Sequence, residues 1–284
     1  MNLLQVAING VLLGGVYALF AAGLNMIVGV MRVINLAHGE LMMLGAYITF
    51  WLFTLAHVNP LLSIPASAGL MLVLGIVIER ALVERVVKQP LLSSLLLTFG
   101  LSTLFLGVAL NAWKGDQRSI SYLSGSLPVG PLLISSARLV AFLVAVLLTS
   151  ATFLFLRYST FGKTIRATSQ QPDAAQACGI DVRRVRAVAF GIGSALAAAA
   201  GSLASIMFTF NPEIGQAFLP KAFAVIVLGG LGSFVGALVG ALVLGVSETV
   251  AGYFTSGQWA ESVAFIILIV MLTIRPSGLF GARE

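Results

Sequence analysis

"AVIVLGGLGSFVGALVGALVLG", residues 224–245, is the stretch on which the fold of this chain turns. It is apolar enough to lie in a bilayer, yet Gly229, Gly230, Gly232 and Ser233 interrupt it. Clustered glycines weaken a helix interior and open backbone conformations closed to other residues. Irregular backbone at membrane depth is tolerated only where protein buries it or a watery cavity meets it. The run therefore reads as two half-helices joined by a glycine turn, entering and leaving the membrane on one side. That reading sets the parity of every other crossing.

The rest of the composition requires a membrane. Of 284 residues 59% are hydrophobic and 9% charged, whereas soluble chains are about 25% charged; the mean hydropathy is +1.04. Apolar runs cover 3–30, 41–58, 61–79, 91–113, 137–156, 187–210, 222–247 and 259–275, and about 20 residues suffice to cross a hydrocarbon core. They are continuous rather than alternating, which disfavours a β-barrel. The expected fold is an all-α integral membrane protein: one transmembrane domain over 1–284, with about eight hydrophobic helical segments, at least one of them discontinuous or re-entrant. The first basic residue is Arg32, so no charged leader precedes the first run, which is expected to stay in the membrane. The single cysteine, Cys178, has no internal partner for a disulfide. The net charge of +6 reads as a topology signal and not as a nucleic-acid surface.

Six of the sixteen Lys and Arg residues gather in the interruption 157–186: Arg157, Lys163, Arg166, Arg183, Arg184 and Arg186. Basic residues mark cytoplasmic loops, which places this loop in the cytoplasm. Arg32 and the group Arg80, Arg85 and Lys88 then fall on the same side. The N-terminus falls outside, as does the 111–137 loop with its turn formers Gly125, Pro128, Gly130 and Pro131. A single crossing over 222–247 would strand Arg275 and Arg283 outside. A broken hairpin returns them to the cytoplasm and leaves only Lys114, Arg118, Arg138 and Lys221 external.

An isolated charge at mid-bilayer costs about 2.5–3.5 kcal/mol, so ionisable groups near the runs need reasons. Glu79, Glu248 and Glu261 lie at run ends and are expected to reach the water interface. "MRVINLAHGELMMLGAY", residues 31–47, sets Arg32, Asn35, His38 and Glu40 between two runs with almost no loop. Two readings stay open there: a tight polar turn in which Arg32 and Glu40 pair, or a lining of the inner end of a transport path by Asn35, His38 and Glu40. The spacing is not the two-histidine zinc motif, and a zinc deaminase would need two more cysteines. Ser233 follows Gly232 directly, so the G-x-S-x-G nucleophile turn is absent. No phosphate-binding G-x-x-x-x-G-K-[ST] occurs either. The chain is expected to hold no catalytic site, metal or cofactor of its own.

Glycine is abundant, 30 of 284. Gly232, Gly236 and Gly240 recur at four-residue spacing, as do Gly10 and Gly14, a pattern that lets helix backbones approach closely. Half-helix ends carry roughly half a charge, and discontinuous helices that aim such ends at a solute recur in transporters.

The basic loop carries "SQQPDAAQACGIDVRRVR", residues 169–186. Pro172 suits the first position of a helix and Gly179 the position just past its end. Asp173 sits at the positive end of the helix dipole. Two turns alone would not be stable in water, so this helix is expected to pack against this chain or to enter a groove on a soluble partner.

"DAA" with Gly179 resembles the coupling loop of ABC importer permeases, with Asp in place of the usual Glu. "GVYALFAAGLNMIVGVMRVINLAHGELMMLGAY", "GKTIRATSQQPDAAQACGI", "VLGGLGSFVGALVGA" and "RPSGLFG" are together similar to the branched-chain amino acid importer family, in its shorter permease subunit. The resemblance runs nearly end to end. It implies half of a heterodimeric permease in the bacterial inner membrane, joined to a second permease subunit and two ATPase subunits and fed by a periplasmic solute-binding protein. ATP and Mg would be bound by the partner ATPases. Asp173, Ala174, Ala175 and Gly179 would contact an ATPase with Arg166 orienting the loop, and Gly229, Gly230, Gly232 and Ser233 would lie beside the path. Leucine, isoleucine and valine are the implied cargo, with urea, short amides and other small acids carried by related systems. The other reading is an ion-coupled secondary transporter, which would need carboxylates inside the membrane.

Overall fold

The computed structural model describes residues 3–87, 89–130, 132–255, 257–275 and 278–280. Lys88, Pro131, Pro276, Ser277, Gly281 and Arg283, which enter the readings above, lie outside the described residues.

Two helices form the centre, α1 (Leu3–Met31) and α9 (Val182–Met207). Each is apolar or small around most of its circumference, the pattern of a helix enclosed by others, and each is buried along most of its length. Packed on them are α2 (His38–Ala56) and α3 (Pro60–Ile78), which runs through a π-helical turn at Glu79–Val83 into the short α4 (Glu84–Val86). Farther out are α5 (Leu91–Trp113) and α6 (Ser136–Tyr158), whose Leu96, Leu104 and Leu147 are exposed. A water-facing surface would not carry such leucines in rows; a lipid-facing one does. After α6 come α7 (Thr160–Gln170) and α8 (Pro172–Ala177), then, beyond α9, α10 (Ile214–Gly229), α11 (Phe234–Phe254) and α12 (Gly257–Ile274).

Among the described residues seven helices are long and apolar enough to cross a membrane, and two shorter apolar ones accompany them. The run at 259–275 falls among the shorter ones, which accounts for the difference from eight; the run at 222–247 is divided between two helices. It is the second half of α10 and most of α11, broken at Gly230–Ser233. The helix α10 starts at Ile214, well before the apolar run, and contains both Pro220 and Lys221. Lys221, read from the sequence as an external loop residue, is thus helical and half-buried; a reading that halts at the first charge cannot see a charge that has a partner.

Small residues set the helix spacing. A Cβ on Gly14 would lie 2.9 Å from the Ala241 carbonyl oxygen, and one on Gly245 2.8 Å from the Gly14 Cα, so α1 and α11 touch backbone to backbone. A Cβ on Gly201 would run into the Met42 carbonyl, which brings α9 as close to α2. Gly229 faces Gly236, and Gly240 faces the Val225 carbonyl, so α10 and α11 are antiparallel. Gly232 does not join this ridge. It lies in the turn with φ +80 and nothing near its missing side chain.

The molecule has two distinct ends. At one, strands β1 (Ser126–Val129) and β2 (Leu132–Ser135) form an antiparallel hairpin, a small exception to an all-α chain; Pro128, expected in a turn, lies in β1. The Gln5 amide, on α1, brackets Leu133 by donating to its carbonyl (2.5 Å) and accepting from its N–H (2.9 Å). The preceding loop is tied to the α9–α10 linker by paired backbone bonds between Arg118 and Phe210. At the other end lie Arg32, α7, α8 and the break between α10 and α11. Gln5 and Asn25, the latter bonded to the break, stand about 30 Å apart along α1 at 1.5 Å per residue, close to one hydrocarbon thickness.

Candidate functional site

The short helix α8 owes its existence to its caps. Pro172 opens it and Asp173 lies in its first turn. It closes in a Schellman motif: the Gly179 N–H donates to the Gln176 carbonyl (3.0 Å) and the Ile180 N–H to the Ala175 carbonyl (3.1 Å). Gly179 holds φ +83, the left-handed conformation this motif requires. Asp181 then caps α9 by accepting from the Arg184 N–H (3.1 Å). Asp173, Ala174 and Gly179 are exposed, whereas Ala175 is 5% exposed and packs inward. Arg166 donates from Nη2 to the Arg157 carbonyl at the end of α6 (3.3 Å), fastening α7 to that end.

The break in the broken helix lies beside this arm. Gly230 and Gly232 have φ +100 and +80. The Asn25 side chain spans the turn, accepting from the Gly232 N–H (2.8 Å) and donating to the Ser233 carbonyl (3.0 Å). Ser233 caps α11 by accepting from the Gly236 N–H (3.0 Å). The Leu279 and Phe280 N–H groups donate to the Leu228 and Gly229 carbonyls. The helix ends that the sequence reading aims at a solute are therefore engaged by the chain's own groups. A cavity of about 340 Å³ separates the break from the arm, lined by Asn25, Gly29, Arg157, Arg166, Ser169 and Gly232 among others.

Asn35, His38 and Glu40 are each buried inside the chain and line neither this cavity nor the one described next. His38 Nε2 lies 3.1 Å from the Phe20 carbonyl, with its ring stacked on Phe20. Glu40 accepts from the Ser102 hydroxyl (3.0 Å). Arg32 is exposed and Glu40 is not, so the expected Arg32–Glu40 pairing does not form: Arg32 turns outward at φ +54 while Glu40 points into the bundle. Glu79 is also buried rather than interfacial.

Sequence reasoning missed the most polar feature of the interior. Lys221 Nζ lies 2.6 Å from Glu248 Oε1 and 3.1 Å from the Tyr17 hydroxyl, and Tyr17 donates to Glu248 Oε2 (2.7 Å). Glu248 was expected at the interface but is buried. The three groups sit at the floor of a cavity of about 440 Å³ opening toward the α9–α10 linker, with Phe208, Phe210, Ile214 and Phe218 in its walls and Glu213 and Glu261 at its margin. A smaller cavity between α10 and α12 shares Lys221 and Glu261. A signal for the pair does exist. Folding the run about its glycine break in the Gly229–Gly236 register brings Lys221 within a turn of Glu248.

A bundle of this kind, with one charged cavity at one end and an exposed capped helix at the other, is a multi-pass membrane protein of the permease type. The chain belongs to the family described as branched-chain amino acid transport system / permease component, whose model matches residues 6–272. It is 35% identical to the high-affinity branched-chain amino acid transport system permease protein LivH of Escherichia coli (strain K12), covering 99% of this chain and 96% of that one. With the permease protein BraD of the corresponding Pseudomonas aeruginosa system it shares 33% identity over the same fractions. Among solved structures it resembles PsaBC from Streptococcus pneumoniae in complex with Fab, with a TM-score of 0.51 and 15% identity over 99% of this chain and 94% of that one. That likeness is one of fold.

Proposed function

We propose that this chain is the membrane-spanning subunit of an ATP-driven importer that passes branched-chain amino acids, delivered by a periplasmic binding protein, into the cytoplasm. The observation that carries the reading is α8. It is a six-residue helix, opened by Pro172, closed by a Schellman motif and presenting Asp173, Ala174 and Gly179 outward, in a chain of this permease family. Two turns are not stable alone; seated on the chain by Ala175, the helix holds an exposed face ready for a partner to dock on. In this reading α8 enters a cleft of an ATPase partner, and Ala175 seats it on the chain's own α7 and α9. Nucleotide closure moves α7, which Arg166 fastens to α6. Across the adjoining cavity that displacement reaches the Asn25-braced break and the helices α10 and α11. A second permease subunit completes the path, ATP and Mg belong to the ATPases, and the assembly sits in the inner membrane with α8 on the cytoplasmic face.

One observation favours the second reading, ion-coupled transport: Glu40, Glu79 and Glu248 are buried carboxylates within membrane-spanning helices. Against it, Glu248 is already paired with Lys221, and Glu40 lines neither of the two larger cavities described above. The experiment is extraction in mild detergent followed by uptake assays in reconstituted vesicles. Co-purified ATPase subunits, with leucine uptake that needs ATP and the loaded binding protein and persists in ionophore, are the expected result. Uptake abolished by ionophore and indifferent to ATP would establish the second reading instead.

A further inference from the structure

We infer that the cavity floored by Tyr17, Lys221 and Glu248 is a recognition site for a zwitterionic α-amino acid with a small aliphatic side chain, which binds by entering the Lys221–Glu248 ion pair. The assignment rests on the importer reading above and names a solute site within it. A buried ion pair is seldom the most stable filling for its space; apolar residues of similar volume do as well or better. Ionisable side chains inside a membrane protein accordingly mark functional sites. Here the pair lies about midway along α10 and past the middle of α11, at the bottom of a chamber whose volume falls in the range of small-molecule sites, about 300–1,000 Å³.

The chemistry of the chamber selects its occupant. Lys221 offers an ammonium to a carboxylate, and the Tyr17 hydroxyl beside it offers a donor or an acceptor. Glu248 and Glu261 offer carboxylates to an ammonium, and among the described residues Glu261 forms no ion pair. Both poles of an amino acid can thus replace the interactions that the pair gives up. Because a zwitterion carries no net charge, its arrival leaves the charge of the chamber unchanged. A purely cationic or anionic solute would leave one charge uncompensated in a low dielectric. Urea and simple amides carry no charge with which to part the pair. The aliphatic side chain is taken by Phe208, Phe218 and Ile214, which form an apolar wall above the pair.

The test uses the assembled transporter in vesicles, with uptake of radiolabelled L-leucine as the readout. Lys221→Met and Glu248→Gln each leave a lone buried charge, and both are expected to impair assembly. In the double variant both charges of the pair are gone, so neither is left without the other. If the pair were only structural, assembly and leucine uptake would return together. On the present inference assembly returns but leucine uptake stays down by about tenfold or more. Glu261→Gln, an exposed position outside the pair, is expected to raise the half-saturating leucine concentration severalfold. Wild-type leucine uptake by the double variant would overturn the assignment. Should the double variant fail to assemble, an unchanged half-saturation in Glu261→Gln would overturn it and a raised one would support it. ATP-independent uptake by the unaltered protein would instead overturn the importer reading, which keeps the two failures apart.

Discussion

Asn25 illustrates how one side chain can hold a joint. It is 2% exposed and both ends of its amide are committed to the turn at Gly232 and Ser233. Replacing it with Leu removes the acceptor of the Gly232 N–H, while the Ser233 carbonyl keeps the Ala237 N–H as its donor; in this part-exposed turn the loss is about 0.5–1.5 kcal/mol. Asn25→Leu should therefore lower the thermal midpoint of the purified protein in detergent, followed by tryptophan fluorescence. An unchanged midpoint would mean that water serves the Gly232 N–H as well as Asn25 does. Nothing local in the sequence announces this role, since Asn25 meets partners more than two hundred positions away. Tyr17 and Glu248 escape a sequence reading for the same reason, and Lys221 because it stands one residue outside an apolar run. Pro172, Gly179 and Asp181 were legible because a cap is made by near neighbours, so residue type and spacing carry the information.

At the scale of elements, α8 separates two surfaces that the sequence alone runs together. Ala174 and Ala175 were read as one contact, but the helix turns the first outward and the second into the chain. Ala174→Asp adds an exposed charge and should shift the stability of the isolated chain by no more than about 0.5 kcal/mol, while cutting the ATPase recovered with it. Ala175→Asp buries a charge under α8 and should lower both. Thermal melts of the chain alone, set beside quantified co-purification, distinguish the two; equal effects at both positions would remove the distinction. The glycine run at 229–233 was legible as a break because clustered glycines cannot continue a helix cheaply. Its place beside α7 was not, because the depth of a turn depends on where α10 begins, and the paired Lys221 hides that start.

For the whole molecule, the segregation of the hairpin at one end and of α7 and α8 at the other makes the orientation testable with the chain's own chemistry. Cys178 is the sole cysteine and is exposed just past α8. A membrane-impermeant maleimide should label it in inside-out vesicles and not in right-side-out ones. The pattern should invert in a Cys178→Ser protein carrying Ser126→Cys on the hairpin. Labelling of Cys178 from the outside would reverse the topology assigned from the basic residues. The assignment needs charge alone, since lysine and arginine bias is a property of whole loops; which helices touch was not legible, because helix contacts are made by small residues that look alike in sequence.

The backbone bonds from Leu279 and Phe280 to Leu228 and Gly229 impose an order in time as well as in space. At about 5–20 residues per second of synthesis, the carboxyl end of α10 is made several seconds before the residues that complete its hydrogen bonding. During that interval the nascent hairpin presents open carbonyls at the joint between α10 and α11. The insertion machinery, or lipid headgroups, must serve them until the downstream segment is released. A chain arrested short of Leu279 would carry every long helix and still leave that joint unsealed, a defect absent from any hydropathy profile.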